Sequence, residues 1–213
     1  CGTVAHDPDL DDAVKVRVIA ELTDMTQRTI EGQALDIGWA RDARFDLTVD
    51  DYFVMANHKT AYYSGAVPLA VGAIVGGGSV EQIEALRSFG MASGLAFQIQ
   101  DDVLNLSGAR GATKKDFRSD ITEGKRTLIV VHSLANTSRR GRLLELLSAH
   151  TTDPALVDEA VEIMHASGSI EFARSYSSDL ITAAKQGLVD AIPKSRARDL
   201  LASMADFFVK RSA

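Results

Sequence analysis

The segment from Ser79 to Leu106 constrains the fold more than any other part of the chain. It opens on Ser79-Val-Glu-Gln82, a capping box with glutamine at the third helical position. From there the pattern predicts one helix to Leu106, roughly 40 Å long at 1.5 Å per residue. The rest of the chain is punctuated as helix, short break, helix, and few alternating β-rich segments compete. Abundant Ala and Leu and only 4 prolines point the same way. The predicted class is all-α.

Local signals set the expected boundaries. Asp7-Pro8 is predicted to open a first helix that runs to about Trp39, followed by a polar connection, residues 41–45. Thr48-Val-Asp-Asp51 looks like an N-cap with an acid in the first turn, so a helix is expected to about Ser64. Gly65 is expected to end it, and a short helix from Val67 to carry into Gly76-Gly77-Gly78. Residues 107–124 read as a polar loop and residues 125–136 as helix. Three or four amphipathic helices follow, with Asp153-Pro154 and Ile192-Pro193 as starts and Gly168 as a break. No internal repeat or low-complexity linker divides the chain, so residues 1–213 read as a single all-α domain.

A chain that is 46% hydrophobic and 24% charged can bury a core and is not disordered. Its net charge of −6 argues against a general nucleic-acid binder. Anionic small substrates stay open, because carboxylates can bind them through a divalent metal. No apolar run approaches the ~18 to 20 residues a membrane helix needs. With Cys1 as the single cysteine there is no internal disulfide, which suits a reducing cytoplasm. The chain does not begin with Met, and upstream sequence is expected.

The long helix carries FQIQDDVLNL, residues 97–106. At 100° per residue, Gly90, Gly94, Phe97, Gln98, Asp101 and Asn105 fall within about a 100° arc, with Asp102 at its edge. Leu95, Ile99, Val103 and Leu106 lie on the packing faces. Two adjacent carboxylates on a mostly buried helix repel each other and need a cation. Oxygen ligands without histidine or cysteine suit Mg²⁺, which takes one or two protein carboxylates and fills its shell with water and phosphate oxygens. A doublet that merely faces water is the plainer alternative. Thr26, Thr29, Gln33 and Asp36 line one face of the first helix, and from spacing alone a solvated stripe is the favoured explanation. Lys59-Thr60 sits inside a helix. Lys114, Lys115, Lys125 and Arg126 flank the polar loop after the DD helix. A basic loop beside an acidic helix is the chemistry of a metal-bridged polyphosphate, or of a solvated loop.

Taken together, these segments resemble the trans-isoprenyl diphosphate synthase (polyprenyl synthetase) family, geranylgeranyl diphosphate synthase-like, over about its C-terminal two thirds. FQIQDDVLN resembles the second aspartate-rich motif, FQxxDDxxD. GQALD, residues 32–36, resembles GQxxDL, and Lys59-Thr60 matches the KT pair that follows it. Lys115 through Asp120 to EGKRT, residues 123–127, resembles GKxxGxD…EGKRT. Four motifs stand in the family's order, over roughly residues 10–135.

The resemblance implies an all-α bundle around a central cleft. It also implies Mg²⁺-assisted condensation of isopentenyl diphosphate with an allylic diphosphate, in the geranyl, farnesyl or geranylgeranyl range. Carried over by position, Asp101 is the direct Mg²⁺ ligand, with Asp102 and Asn105 beside it. Gln98 binds the diphosphate or a metal-bound water. Lys59, Lys115 and Lys125 hold the diphosphate, Thr60 and Phe97 line the site, and Gln33 and Asp36 face the cleft. A cytoplasmic homodimer without a membrane span is expected, with no nucleic-acid partner. Two departures stand out. Asn105 replaces the motif's last Asp, as in some geranylgeranyl-type members. The family's first aspartate-rich motif, DDxxD or DDxxxxD, does not occur in these 213 residues, and DLDD at 9–12 is not that motif. The helices that carry it are therefore expected to lie upstream. A catalytically incomplete subunit that modulates a full-length synthase, or a terpene cyclase on the related fold, remain alternatives.

Overall fold

The computed structural model describes residues 1–107 and 118–211. These form eleven α-helices and one π-helical segment, with no strand among them, as the all-α reading predicts. The helices are α1 (Gly2–Ala5), α2 (Asp12–Arg41), α3 (Val49–Ala56), α4 (Val67–Val75), α5 (Val80–Ser107) and α6 (Ser119–Thr122). Then come α7 (Leu128–Asn136), α8 (Arg140–Ser148), α9 (Pro154–Ala166), α10 (Ser169–Ala191) and α11 (Arg196–Lys210). The π segment, Asn57–Ala66, joins α3 to α4 without a break. No described helix is long and apolar enough to cross a membrane.

The expected capping box at Ser79 is in place, and the expected N-cap at Thr48 is a full capping box as well. The Thr48 hydroxyl accepts from Asp51 N–H, and Asp51 accepts from Thr48 N–H. Ser79 and Gln82 exchange the same pair of bonds at 3.0 and 3.3 Å. Gly168 takes φ 71° at the break before α10. Other boundaries differ from expectation. Asp7 accepts from Asp9 N–H at 2.9 Å, so Asp7-Pro8 makes a local turn and α2 starts at Asp12. Pro193 holds Ile192 extended, and Ser195 caps α11 two residues later. The helix expected from Lys125 begins at Leu128, capped by Thr127. The expected loop 107–124 contains α6, and its residues 108–117 lie outside the described chain.

Helix α5 is the axis of the bundle. It packs chiefly against α10, the π segment and α4. Leu95, Ile99, Val103 and Leu106 are buried on its packing faces, as the periodicity predicts. Gly65 does not end a helix, contrary to expectation. It is a contact point: a Cβ there would lie 2.0 Å from the Gly90 carbonyl oxygen, and one on Gly90 would lie 2.3 Å from the Gly65 oxygen. The two backbones touch, so neither position has room for a side chain. Gly32 plays the same part between α2 and the π segment, where a Cβ would meet Lys59 N at 2.2 Å. These two contacts set how α2, the π segment and α5 face one another, and the polar side chains below sit between them.

Candidate active site

The predicted arc on α5 splits into two i, i+4 pairs with different neighbours. Gln98 and Asp102 face α3 and the π segment, whereas Phe97 and Asp101 face α11. Asp102, not Asp101, is therefore the carboxylate of the polar interior. It is 5% exposed. Gln98 Nε2 donates to its Oδ1 at 2.9 Å, and the Tyr52 hydroxyl donates to its Oδ2 at 3.0 Å. Thr60 Oγ1 donates in turn to Gln98 Oε1 at 2.8 Å. One hydrogen-bond chain thus ties α3, the π segment and α5 together, and it fixes which way the Gln98 amide points.

Cations close the ring. Lys59 donates to Asp36 of α2, and Lys125 donates to Asp120 Oδ1 at 2.7 Å. Arg126 is buried over the Phe45 ring, 3.8 Å from its centroid, and donates to the Arg44 and Gly124 carbonyls. It pins the connection after α2 to the start of α7. Asp36, Tyr52, Lys59, Thr60, Gln98, Asp102 and Lys125 line a common cavity of about 50 Å³. That volume has room for a few water molecules, so it is the floor of a site and not a pocket for a whole substrate. A second cavity of about 430 Å³ lies one helix face away, lined by Phe97, Phe89, Pro68, Leu69, Met204 and Phe208. It is apolar and large enough for a small ligand. A polar floor and an apolar cavity flank the same turn of α5, an arrangement suited to an amphiphilic molecule.

The electrostatics of the floor follow from burial. Desolvation pushes the Asp102 carboxyl up to about 8, and the charge of Asp120 adds to it. The bonds from Gln98 and Tyr52 oppose that shift without cancelling it. Burial also raises Asp120, against the pull of Lys125. Burial disfavours the charged Lys125, but Asp120 and then Glu123 outweigh it, so the ammonium is held above its ordinary value. Tyr52 is raised well above its usual value, by burial first and the Asp102 charge second, so it stays a donor.

Of the residues singled out from sequence, Asp36, Lys59, Thr60, Gln98, Asp102 and Lys125 come together here. Phe97 lines the apolar cavity instead. Asp101 pairs with Arg211. Asn105 bonds Ser119 Oγ at 3.2 Å and accepts from Asp120 N–H at 3.3 Å, so it ties α6 to α5. Gln33 is exposed on α2, beside the buried Gly32. Lys115 lies outside the described residues. Tyr52 and Arg211 are additions that sequence patterning did not single out.

Among the described residues no three histidine, cysteine or acidic side chains converge on one point. Mg²⁺ needs only one or two protein carboxylates beside water and phosphate oxygens. Asp101 and Asp102 are oxygen donors of that kind, and the protonation-prone Asp102 is a carboxylate that a nearby cation would favour in its charged form. The residues present fit part of a Mg²⁺ shell.

Tyr52→Phe is expected to destabilise the protein by about 1–3 kcal/mol where Asp102 is charged, and by less where it is protonated. Thermal unfolding at about pH 6 and about pH 9 reads the difference. An equal loss at both would refute Tyr52 as the partner of a charged Asp102.

Comparison with known proteins gives a consistent set of likenesses. The Polyprenyl synthetase family model matches residues 8–164. The chain is 40% identical over 195 residues to the short chain isoprenyl diphosphate synthase of Methanothermobacter thermautotrophicus, covering 91% of this chain and 58% of that protein. It superposes on the crystal structure of geranylgeranyl pyrophosphate synthetase from Pyrococcus horikoshii with TM-score 0.89 and 32% identity, over 99% of this chain and 63% of that one. It superposes on geranylgeranyl pyrophosphate synthase from Corynebacterium glutamicum, complexed with isoprenyl diphosphate and magnesium, with TM-score 0.85 and 29% identity. That match covers 95% of this chain and 57% of the other. The chain thus spans less than two thirds of the length of these proteins.

Proposed function

This chain belongs to the polyprenyl synthetase family, and from that premise we propose that it provides the diphosphate-binding half of a prenyltransferase active site. The reaction is condensation of isopentenyl diphosphate with an allylic diphosphate in the geranyl to geranylgeranyl range. The observation that carries the reading is the floor of the site. Two lysines, Lys59 and Lys125, stand beside a hydrogen-bonded Thr60–Gln98–Asp102 chain. Ammonium groups and an oriented amide are what a diphosphate leaving group requires. Lys115 would add a third ammonium.

In this reading Asp101 and Asp102, with Asn105 beside them, hold Mg²⁺ together with diphosphate oxygens. The ion, when bound, would neutralise charge on the departing diphosphate. The protein's own groups do the rest. Lys59 and Lys125 exchange their carboxylate partners for phosphate oxygens. Gln98 and Thr60 orient the headgroup, Phe97 shields the hydrocarbon, and Asp36 and Gln33 bear on the cleft from α2. The bound isoprenyl diphosphate and magnesium of the Corynebacterium glutamicum structure support this ligand class. The same reading takes residues 1–213 as one all-α domain that works as a cytoplasmic homodimer. Exposed apolar residues at Val16, Ile30 and Ile37 of α2 support a partner surface there.

The direct test is incubation of the protein with Mg²⁺, labelled isopentenyl diphosphate and geranyl or farnesyl diphosphate. The expected product is a prenyl diphosphate longer by one five-carbon unit. A hydrocarbon product would identify a cyclase, and extension only after addition of a full-length synthase would identify a modulating subunit.

A further inference from the structure

Asp101 is not held as a bare carboxylate. Arg211, just past the end of α11, donates from Nη2 to Asp101 Oδ1. Its guanidinium carbon lies 4.2 Å from the centroid of the Phe97 ring, one helical turn back. Its backbone carbonyl accepts from Gln100 Nε2 at 3.0 Å, and Phe208 meets Phe97 edge-on at 5.2 Å. Three neighbouring residues of α5 thus receive the end of α11, and the two aspartates of the DD pair are answered differently. Asp102 has neutral donors, whereas Asp101 has a cation. The docked arginine is also incompletely satisfied, because its Nε is buried without a hydrogen-bond partner. A guanidinium bonded through one nitrogen and short of a second partner is held, but not saturated.

We propose that Arg211 is the resident counter-ion of Asp101, and that a divalent cation takes this carboxylate only by displacing it. This rests on the reading of Asp101 as a cation ligand. Arg211 bonds Oδ1 and leaves Oδ2 open, but a guanidinium and a divalent cation on one carboxylate stand within a few ångströms and repel each other, so the two compete. Cation loading and release of the end of α11 are then a single equilibrium, and each biases the other by the same factor. The apparent cation affinity is the intrinsic one reduced by the fraction of molecules in which Asp101 is unmasked.

The test is Mn²⁺ binding, followed by loss of the free-ion electron paramagnetic resonance signal in the presence of inorganic pyrophosphate. Wild type, Asp101→Asn and Arg211→Gln are compared. Asp101→Asn is expected to weaken binding, and Arg211→Gln to tighten it about threefold to tenfold. If Asp101→Asn changes nothing, the assignment of Asp101 fails and the competition with it. If Asp101→Asn weakens binding but Arg211→Gln leaves it unchanged or weaker, the assignment stands and the competition is overturned. Hydrogen exchange on the wild-type protein gives the answer without any variant. Amides of residues 207–211 should exchange faster when Mn²⁺ saturates, and unchanged or slower exchange would overturn the proposal.

Discussion

Asp102→Asn is expected to make the protein more stable while lowering the proposed prenyl transfer by about a hundredfold or more. The stability half follows from burial. The Asp102 carboxyl stands at about 8 in the folded protein, against about 3.9 in an unfolded chain. The folded state therefore binds the proton more tightly. The stability this group contributes is greatest below about pH 4, falls as pH rises, and is gone above about pH 8. Asparagine has no such slope. It also keeps the local bonds, since its oxygen accepts from Gln98 and its amide donates to the Tyr52 hydroxyl, which can turn to accept. The gain in unfolding midpoint should thus be small at about pH 4 and reach its full size at about pH 9. The activity half follows from charge, because an amide cannot answer a cation and a diphosphate as a carboxylate does. Asp101→Ala should be as damaging to turnover but without the gain, because it strips Arg211 of its partner. An Asp102→Asn protein with wild-type kcat/KM would reduce Asp102 to a structural residue.

Gly90→Ala is expected to cost about 2–4 kcal/mol, or roughly 6–12 °C in unfolding midpoint for a chain of this size. On helix propensity alone the change should stabilise. The geometry reverses the sign, because the new methyl would sit 2.3 Å from the Gly65 oxygen and 2.5 Å from its carbonyl carbon. Two backbones would have to part, and Thr60 would move away from Gln98. Gly187→Ala, in α10, is the control. A Cβ there meets nothing within 4 Å, so it should raise stability by up to ~1 kcal/mol. Similar shifts for the two variants would show that the crossing tolerates a side chain. Gly65→Ala should resemble Gly90→Ala, and the double variant should fall short of the sum, since both force open the same contact.

Much of this was legible in the residues, for reasons that differ by level. Capping boxes at Thr48 and Ser79 are local, so the starts of α3 and α5 could be read directly. The packing face of α5 follows from period alone. The partition between Asp101 and Asp102 could not be read this way, because it depends on which neighbour each meets. Tyr52 and Arg211 supply those neighbours from 50 and 110 residues away. The role of Gly65 was hidden for a similar reason: a glycine that ends a helix and one that admits another backbone look alike until the second backbone is placed. Pro193 misled because a better cap, Ser195, stood two residues on.

The π segment has a consequence for how this molecule tolerates change in length. A wound stretch with i to i+5 bonding carries more residues per turn than its α-helical flanks, which is how an extra residue is absorbed without breaking the rod. Deleting a residue between 57 and 66 would let the stretch rewind as ordinary helix, with α3 and α4 close to their former register. The loss would fall inside the stretch, where the wider turn carries Lys59 to Asp36 and Thr60 to Gln98. An inserted residue has no such reserve to draw on. It would turn α3 by about 100° against α4 and take Tyr52 off Asp102. The rod can give up a residue more readily than it can take one.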